Sequence, residues 1–308
     1  MNTLAADHAF CAELLDRSGS SFSLPIRLLP AAKRRGTTAL YAFCRRADDI
    51  VDGAGERATG AGAVTIDQRE ATAALDAFAA DLEGALAGGH SADPVIRALV
   101  DTVRRYAIPP EHLRAVIDGV RMDLVPASIP LAPVALPDVA ALERYCAKVA
   151  SAVGLAAIHI WGFTSPEAIP AGHACGLAFQ LTNILRDIPE DLERGRIYLP
   201  QSDFVAAGCT ADDLVAGRVG EGFNRLAAIE VARADEWFRQ ARRLDRLLST
   251  DGRIVFRAMY GVYRTIFLAV RRRGTGIFAA RVSPPKPLLV GAALTAVVAG
   301  PRGLILPW

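Results

Sequence analysis

Along most of this chain apolar residues return every three or four positions, and β-branched residues seldom alternate with polar ones. The pattern therefore predicts helices and almost no strand. Breaks in it place helices at roughly 31–52, 66–87, 93–106, 110–123, 138–162, 166–188, 222–249 and 252–273, with a last one near 285–299. Stretches rich in Pro or Gly at Gly53–Gly62, Val125–Pro137 and Gly195–Gly208 read as loops, and the first and third are places where a lid could close. No repeat of about 20 to 50 residues is visible. With no linker-like stretch to divide it, the chain of 308 residues reads as one all-α domain spanning 1–308.

Two predicted helices carry acids where their apolar pattern ends. The first reads Tyr41-Ala-Phe-Cys-Arg-Arg-Ala-Asp-Asp-Ile-Val-Asp52, the second Gln180-Leu-Thr-Asn-Ile-Leu-Arg-Asp-Ile-Pro-Glu-Asp191. A helix C-terminus already bears partial negative charge from unsatisfied carbonyls, so added carboxylates there raise the local energy unless a cation offsets them. Residues four apart share a face, so Asp48 and Asp52 project together, their Cβ atoms about 5 to 6 Å apart. Asn183 and Asp187 repeat that spacing with a neutral oxygen in place of one charge. Mg²⁺ suits such pairs, because it takes one or two carboxylates and completes its shell with water and substrate phosphate; Mn²⁺ is a substitute. The bland alternative is a solvated cluster paired with Arg45 and Arg46, and one cluster alone would leave the two readings even. Two clusters, each on a largely apolar helix, read instead as a diphosphate site above a hydrocarbon pocket. Asp49 points away from the Asp48/Asp52 pair.

Composition narrows the partners. A formal charge of +2 favours no nucleic acid, so anion recognition has to be local. The five cysteines are odd in number and widely spaced, which excludes a disulfide framework or zinc module and fits a reducing cytosol. No secretory signal opens the chain, so a cytoplasmic location is expected, with peripheral contact on the inner face of a membrane as an open alternative. The uncharged run Leu288–Gly300 is too short to span a bilayer, and the expectation is a last helix packed on the core, with a membrane-docking surface as the alternative.

Read as motifs, these segments resemble the squalene and phytoene synthase family, the head-to-head prenyl diphosphate condensing enzymes. The likeness runs from Ser18-Gly-Ser-Ser-Phe-Ser-Leu-Pro through both acidic segments. It includes Ile117-Asp-Gly-Val-Arg-Met-Asp-Leu124, Tyr145-Cys-Ala-Lys-Val-Ala-Ser-Ala-Val-Gly154 and Gln180–Pro200, and ends at Tyr263-Arg-Thr-Ile. The resemblance implies an isoprenoid synthase fold, a single helical bundle around a central apolar cavity, acting on prenyl diphosphates. It implies Mg²⁺ ligands at Asp48, Asp52, Asn183 and Asp187, and diphosphate contacts from Ser18, Gly19, Ser20, Ser21, Tyr41, Arg45, Gln180, Arg186 and Tyr263. It also implies a flap carrying Arg196 and Tyr198, with Tyr145 beside the reacting carbons. The segment Val149–Gly162 is similar to bacterial presqualene diphosphate and squalene synthases, whereas Gly119-Val-Arg-Met-Asp-Leu124 is similar to phytoene synthases. Two farnesyl diphosphates joined to presqualene diphosphate, and onward to squalene, is the expected reaction, with phytoene synthesis from geranylgeranyl diphosphate as the alternative.

Pro189 departs from the family pattern, and it is expected to turn Asp191 off the face of Asp187. Gly274-Thr-Gly-Ile-Phe-Ala279 follows an arginine-rich helix and not a strand, so nothing in the sequence points to NADPH. His159 and His173 read as packed or surface residues, and Phe256 and Met259 as core. The rivals are a terpene cyclase, which consumes one prenyl chain per product, and a non-catalytic membrane-associated helical protein. Enzymes acting downstream on isoprenoids are candidate partners.

Overall fold

A computed structural model describes residues 3–18, 20, 22–56, 68–124 and 135–301, with the side chains of 52–56, 68 and 135 outside the description. Its helices are α1 (Thr3–Arg17), α2 (Ser23–Arg27), α3 (Ala31–Glu56), α4 (Gln68–Leu86), α5 (Pro94–Tyr106), α6 (Pro110–Met122), α7 (Val139–Cys146) and α8 (Ala152–Trp161). They continue as α9 (Ala168–Glu193), α10 (Gln201–Ala207), α11 (Ala211–Val215), α12 (Glu221–Ala241), α13 (Leu244–Leu247), α14 (Thr250–Arg273) and α15 (Lys286–Ala299). A π-helical turn, Ala147–Ser151, links α7 to α8, and a 3-10 turn, Gly274–Phe278, follows α14. The only strands among the described residues are β1 (Ala135–Leu136) and β2 (Ile197–Pro200), paired in parallel.

The all-α expectation is met, and several boundaries differ from it. The chain before residue 31 forms two helices that the pattern did not announce. The segment read as a loop at Gly195–Gly208 is a short strand running into α10. Both acidic helices run further than predicted, α3 to Glu56 and α9 to Glu193, so the acids lie inside helices rather than at their ends. Pro189 does not break α9. One missing backbone donor is tolerated in a helix whose other side is buried throughout, because tertiary packing outweighs local propensity. The segments around 57–67 and 125–134 lie outside the described residues.

Contacts divide the chain into two compact units. The first comprises Met1–Pro126, Ala152–Pro166 and Leu248–Val255; the second comprises Ala127–Ser151, Glu167–Leu247 and Phe256–Trp308. In the first, α3 packs against α1, α4, α5, α6 and α8. Leu40, Phe43, Ala47 and Val51 recur at three and four and are at most 4% exposed, so they form the buried stripe of α3. Gly36 lets α3 come close to its neighbours: a Cβ there would lie 3.0 Å from side-chain atoms of both Thr102 and Tyr106. Polar ties reinforce the packing. Arg97 of α5 donates to both oxygens of the buried Asp7 on α1, at 2.9 and 2.6 Å, and the Trp161 indole donates to Thr37 on α3 at 3.1 Å.

In the second unit α9 packs on α12, whose Phe223, Leu226, Ala227, Ala234 and Phe238 turn the same way at helical spacing. Phe256 and Met259 are buried, as their apolar spacing implied. The tightest approach is between α9 and the π-turn: a Cβ on Gly176 would sit 2.3 Å from the Cα of Ser151, and the Ser151 hydroxyl donates to the His173 carbonyl at 2.8 Å. The turn begins two residues after Tyr145, so this backbone contact helps to fix where that tyrosine is held. Gly176→Ala is expected to lower stability by about 3 kcal/mol, the upper end for overpacking, because the obstacle is backbone that cannot move aside. Chemical denaturation with circular dichroism checks it, and Ala174→Gly serves as a control that adds no volume.

Candidate functional site

On α3 the apolar stripe dictates the polar one. With positions 40, 43, 47 and 51 buried, Tyr41, Arg45 and Asp48 fall on a neighbouring stripe at steps of four and three. Arg45, Asp48 and Asp49 are exposed, and Arg45 pairs with Asp49 at 2.6 Å across one turn. Asp49 thus serves as the ion-pair partner of Arg45. The charge of Asp48 reaches the Cys44 thiol, whose pKa is pushed up first by burial and then by that carboxylate. The Asp52 side chain lies outside the described residues. Near the start of the unit, the Ser18 hydroxyl donates to the Leu15 carbonyl at 2.7 Å and accepts from the Ser20 amide at 3.2 Å. The Ser20 hydroxyl accepts from the Phe22 amide at 3.2 Å, which closes a turn just before α2; Gly19 and Ser21 lie outside the described residues.

On α9 of the second unit, Leu181, Ile184, Leu185 and Ile188 are buried, and Gln180, Asn183, Asp187 and Glu190 share the opposite stripe. The Asn183 amide donates to Gln180 Oε1 at 3.3 Å and lies within hydrogen-bond reach of the Tyr263 hydroxyl. Its carbonyl oxygen Oδ1 is buried and has no hydrogen-bond partner among the described residues. One turn on, Arg186 grips both oxygens of Asp187, at 2.8 and 2.5 Å. Burial raises the pKa of the Tyr263 hydroxyl; Arg186 and Asn183 act against it and Asp187 adds to it, so these four side chains share one electrostatic neighbourhood. The Tyr263 ring lies flat on Phe179, with centroids 4.0 Å apart.

The structure adds a residue that sequence reasoning missed. Arg281 reaches Asp187 at 3.0 Å and Glu190 at 3.0 Å, and the neighbouring Val282 amide donates to the Arg186 carbonyl at 3.2 Å, which sets that register. Its only signal in the sequence was an arginine in a Pro-flanked connection far from either acidic segment. Tyr145 and Tyr198, which the resemblance placed at the reacting carbons and on a flap, stack on each other with centroids 4.7 Å apart. Asp191, Arg196 and Tyr198 line one small cavity of about 10 Å³ with Ile184 and Ile188. Asp191 stays on the continuous helix and borders the β2 segment, in a cavity that Asp187 does not line.

Hard cations take oxygen ligands, and within the second unit the partnerless Asn183 Oδ1 lies one helical turn before the Asp187 carboxylate, which Arg186 and Arg281 hold in this structure. Among the described residues no group of three His, Cys, Asp or Glu could hold a metal ion.

Comparison with known proteins decides the family. The model described as squalene/phytoene synthase matches residues 15–287. The chain belongs to the squalene/phytoene synthase family. A 15-cis-phytoene synthase of Synechococcus elongatus is 33% identical over 295 residues, covering 92% of this chain and 90% of that one. The presqualene diphosphate synthase of Zymomonas mobilis is 38% identical over 203 residues, covering 65% and 63%. Among solved structures, the squalene synthase HpnC of Alicyclobacillus acidocaldarius superposes with a TM-score of 0.75 at 31% identity, covering 88% of this chain and 95% of that one. A dehydrosqualene synthase in complex with ligand gives 0.78 at 25% identity, covering 96% of each. The fold is the isoprenoid synthase fold of these enzymes, and the family acts on prenyl diphosphates.

The segment after β2 has its own anchor. Asp203 on α10, just after β2, pairs with Arg233 of α12 at 2.7 Å, and Arg233 also holds the fully buried Glu230. One guanidinium serves two carboxylates, and burial pushes the Glu230 pKa up to about 8. Because the folded state binds this proton more tightly than the unfolded chain, its contribution is complete below about pH 4.5 and is lost as pH rises through about 8. Glu230→Gln is therefore expected to flatten the fall in stability between pH 5 and 8. At pH 9 it should exceed the wild type by on the order of 1–3 kcal/mol in urea unfolding.

Proposed function

We propose that this protein joins two farnesyl diphosphates head to head into presqualene diphosphate, with release of diphosphate and with magnesium as cofactor. The observation that carries the reading is the Asn183 side chain, whose buried Oδ1 lacks a partner one turn before Asp187 and beside Arg186 and Tyr263. Asn183 and Asp187 in the second unit, and Asp48 and Asp52 in the first, are the residues that would hold magnesium. When bound, the ion supplies charge neutralisation for the departing diphosphate.

The chain's own residues do the rest. Arg45, Gln180, Arg186 and Arg196, with the hydroxyls of Tyr41 and Tyr263 and the turn at 18–21, bind and orient the diphosphates, and their guanidinium groups meet the charge that grows on the leaving oxygens. The stacked rings of Tyr145 and Tyr198 present aromatic faces that favour a carbocation without capturing it. The Phe179–Tyr263 stack gives the diphosphate end an apolar wall that excludes water. The C15 substrate is supported by the 38% identity to a presqualene diphosphate synthase and by the likeness to squalene and dehydrosqualene synthases. The second reading, phytoene formation from two geranylgeranyl diphosphates, draws on the 33% identity to phytoene synthases across nearly the whole chain.

Incubation with each diphosphate in Mg²⁺, with products read by mass spectrometry, separates these readings. Preferential formation of a C30 diphosphate is expected. A C40 hydrocarbon would favour the second reading, and one prenyl chain per product would overturn both. In the same assay Asn183→Ala is expected to lower kcat by about 10²-fold or more while leaving the fold intact by circular dichroism, the loss typical of a preorganised charge-stabilising group.

A further inference from the structure

We propose that the outer face of α15 lies in the surface of an anionic lipid bilayer, with the cationic end of α14 beside it in the headgroup layer. The sequence expectation for this helix was burial against the core, with a membrane-docking surface as the alternative, and the structure meets the first on one side alone. Leu289, Ala293 and Val297 pack with Ala258, Val262 and Ile266 of α14, and the Arg257 guanidinium donates to the Val297 carbonyl at 3.2 Å. The next stripe around the helix, Val290, Leu294 and Val298, turns outward and is 42%, 60% and 85% exposed. After Lys286 the helix carries no charged residue at all. A helix face turned to water is ordinarily polar, so this one is matched to a different medium.

Charge identifies the medium. From Gly252 to Trp308 the sequence has nine Lys and Arg and no Asp or Glu. Arg257, Arg264 and Arg281 are matched by carboxylates from earlier elements. Arg271, Arg272, Arg273 and Lys286 are exposed, and among the described residues none of them forms an ion pair. The two helices run antiparallel, with 257 beside 297 and 261 beside 292, so the arginines closing α14 lie at the end where α15 begins. An uncovered apolar stripe with unmatched cations at one end fits hydrocarbon beneath anionic headgroups. A second copy of this chain fits poorly, since a two-fold contact through this face would bring like charges together. Spanning is excluded for α15, whose 14 residues extend about 21 Å, and no described helix is long and apolar enough to cross a membrane.

Co-sedimentation of the full chain with vesicles tests this, using phosphatidylcholine alone and phosphatidylcholine with phosphatidylglycerol. Partitioning onto the anionic vesicles is expected, at least about tenfold stronger than onto the neutral ones and weakened by salt. Leu294→Gln with Val298→Gln should reduce it about tenfold at unchanged circular dichroism and unchanged diphosphate release. Arg271→Gln with Arg272→Gln should remove its salt dependence. The proposal is overturned if the full chain stays in the supernatant with anionic vesicles or if the Leu294/Val298 variant binds as well as wild type. It is also overturned if only a chain ending at Pro301 binds, which would mean that residues 302–308 cover the face. Sedimentation as a dimer that Leu294→Gln dissociates would equally overturn it.

Discussion

A helix that commits one stripe of side chains to a core has no freedom left over where its other residues point, and this constraint governs the candidate residues of each unit. On α3, burying Leu40, Phe43, Ala47 and Val51 fixes the direction of Tyr41, Arg45 and Asp48. On α9, burying Leu181, Ile184, Leu185 and Ile188 fixes Gln180, Asn183 and Asp187. Substituting a core residue on either helix would rotate or loosen the polar stripe without touching it. The apolar packing is thus part of the chemistry, because polar side chains on long rotatable stems gain directed positions from helices that cannot turn.

Packing in the second unit adds precision of a different kind. Gly176 admits the π-turn to backbone contact, and the turn holds Tyr145 against Tyr198. Asp203, Arg233 and Glu230 then tie the helix after β2 to α12. These are separate devices, one steric and one ionic, and both act on the aromatic pair rather than on the polar stripe.

Much of this was legible in the sequence because it obeys the period of 3.6. The long helices, the shared face of Asn183 with Asp187, and the apolar backing of both stripes follow from spacing alone. What spacing could not give came from tertiary context. Pro189 looked like a break, yet α9 runs through it, because one lost hydrogen bond is small beside the burial of a 26-residue helix. The stretch 195–208 looked like a loop, since its strand pairs with residues some sixty positions earlier and its short helix is held by an ion pair to α12. Arg281 carried no local signal, because the backbone bond from Val282 to Arg186 that delivers it joins distant segments. The unannounced helices before residue 31 are stabilised by partners such as Arg97, far along the chain.

The central claim is that Asn183 Oδ1, buried and without a partner among the described residues, is an oxygen donor to a divalent ion. Electron paramagnetic resonance of Mn²⁺, titrated into the protein with an unreactive farnesyl thiodiphosphate, tests it without relying on turnover. The account predicts ordered binding to the wild type and a loss of affinity of at least about tenfold in Asn183→Ala, since even residues behind a metal ligand commonly cost that much. Unchanged Mn²⁺ affinity and spectrum in a folded Asn183→Ala variant would contradict it.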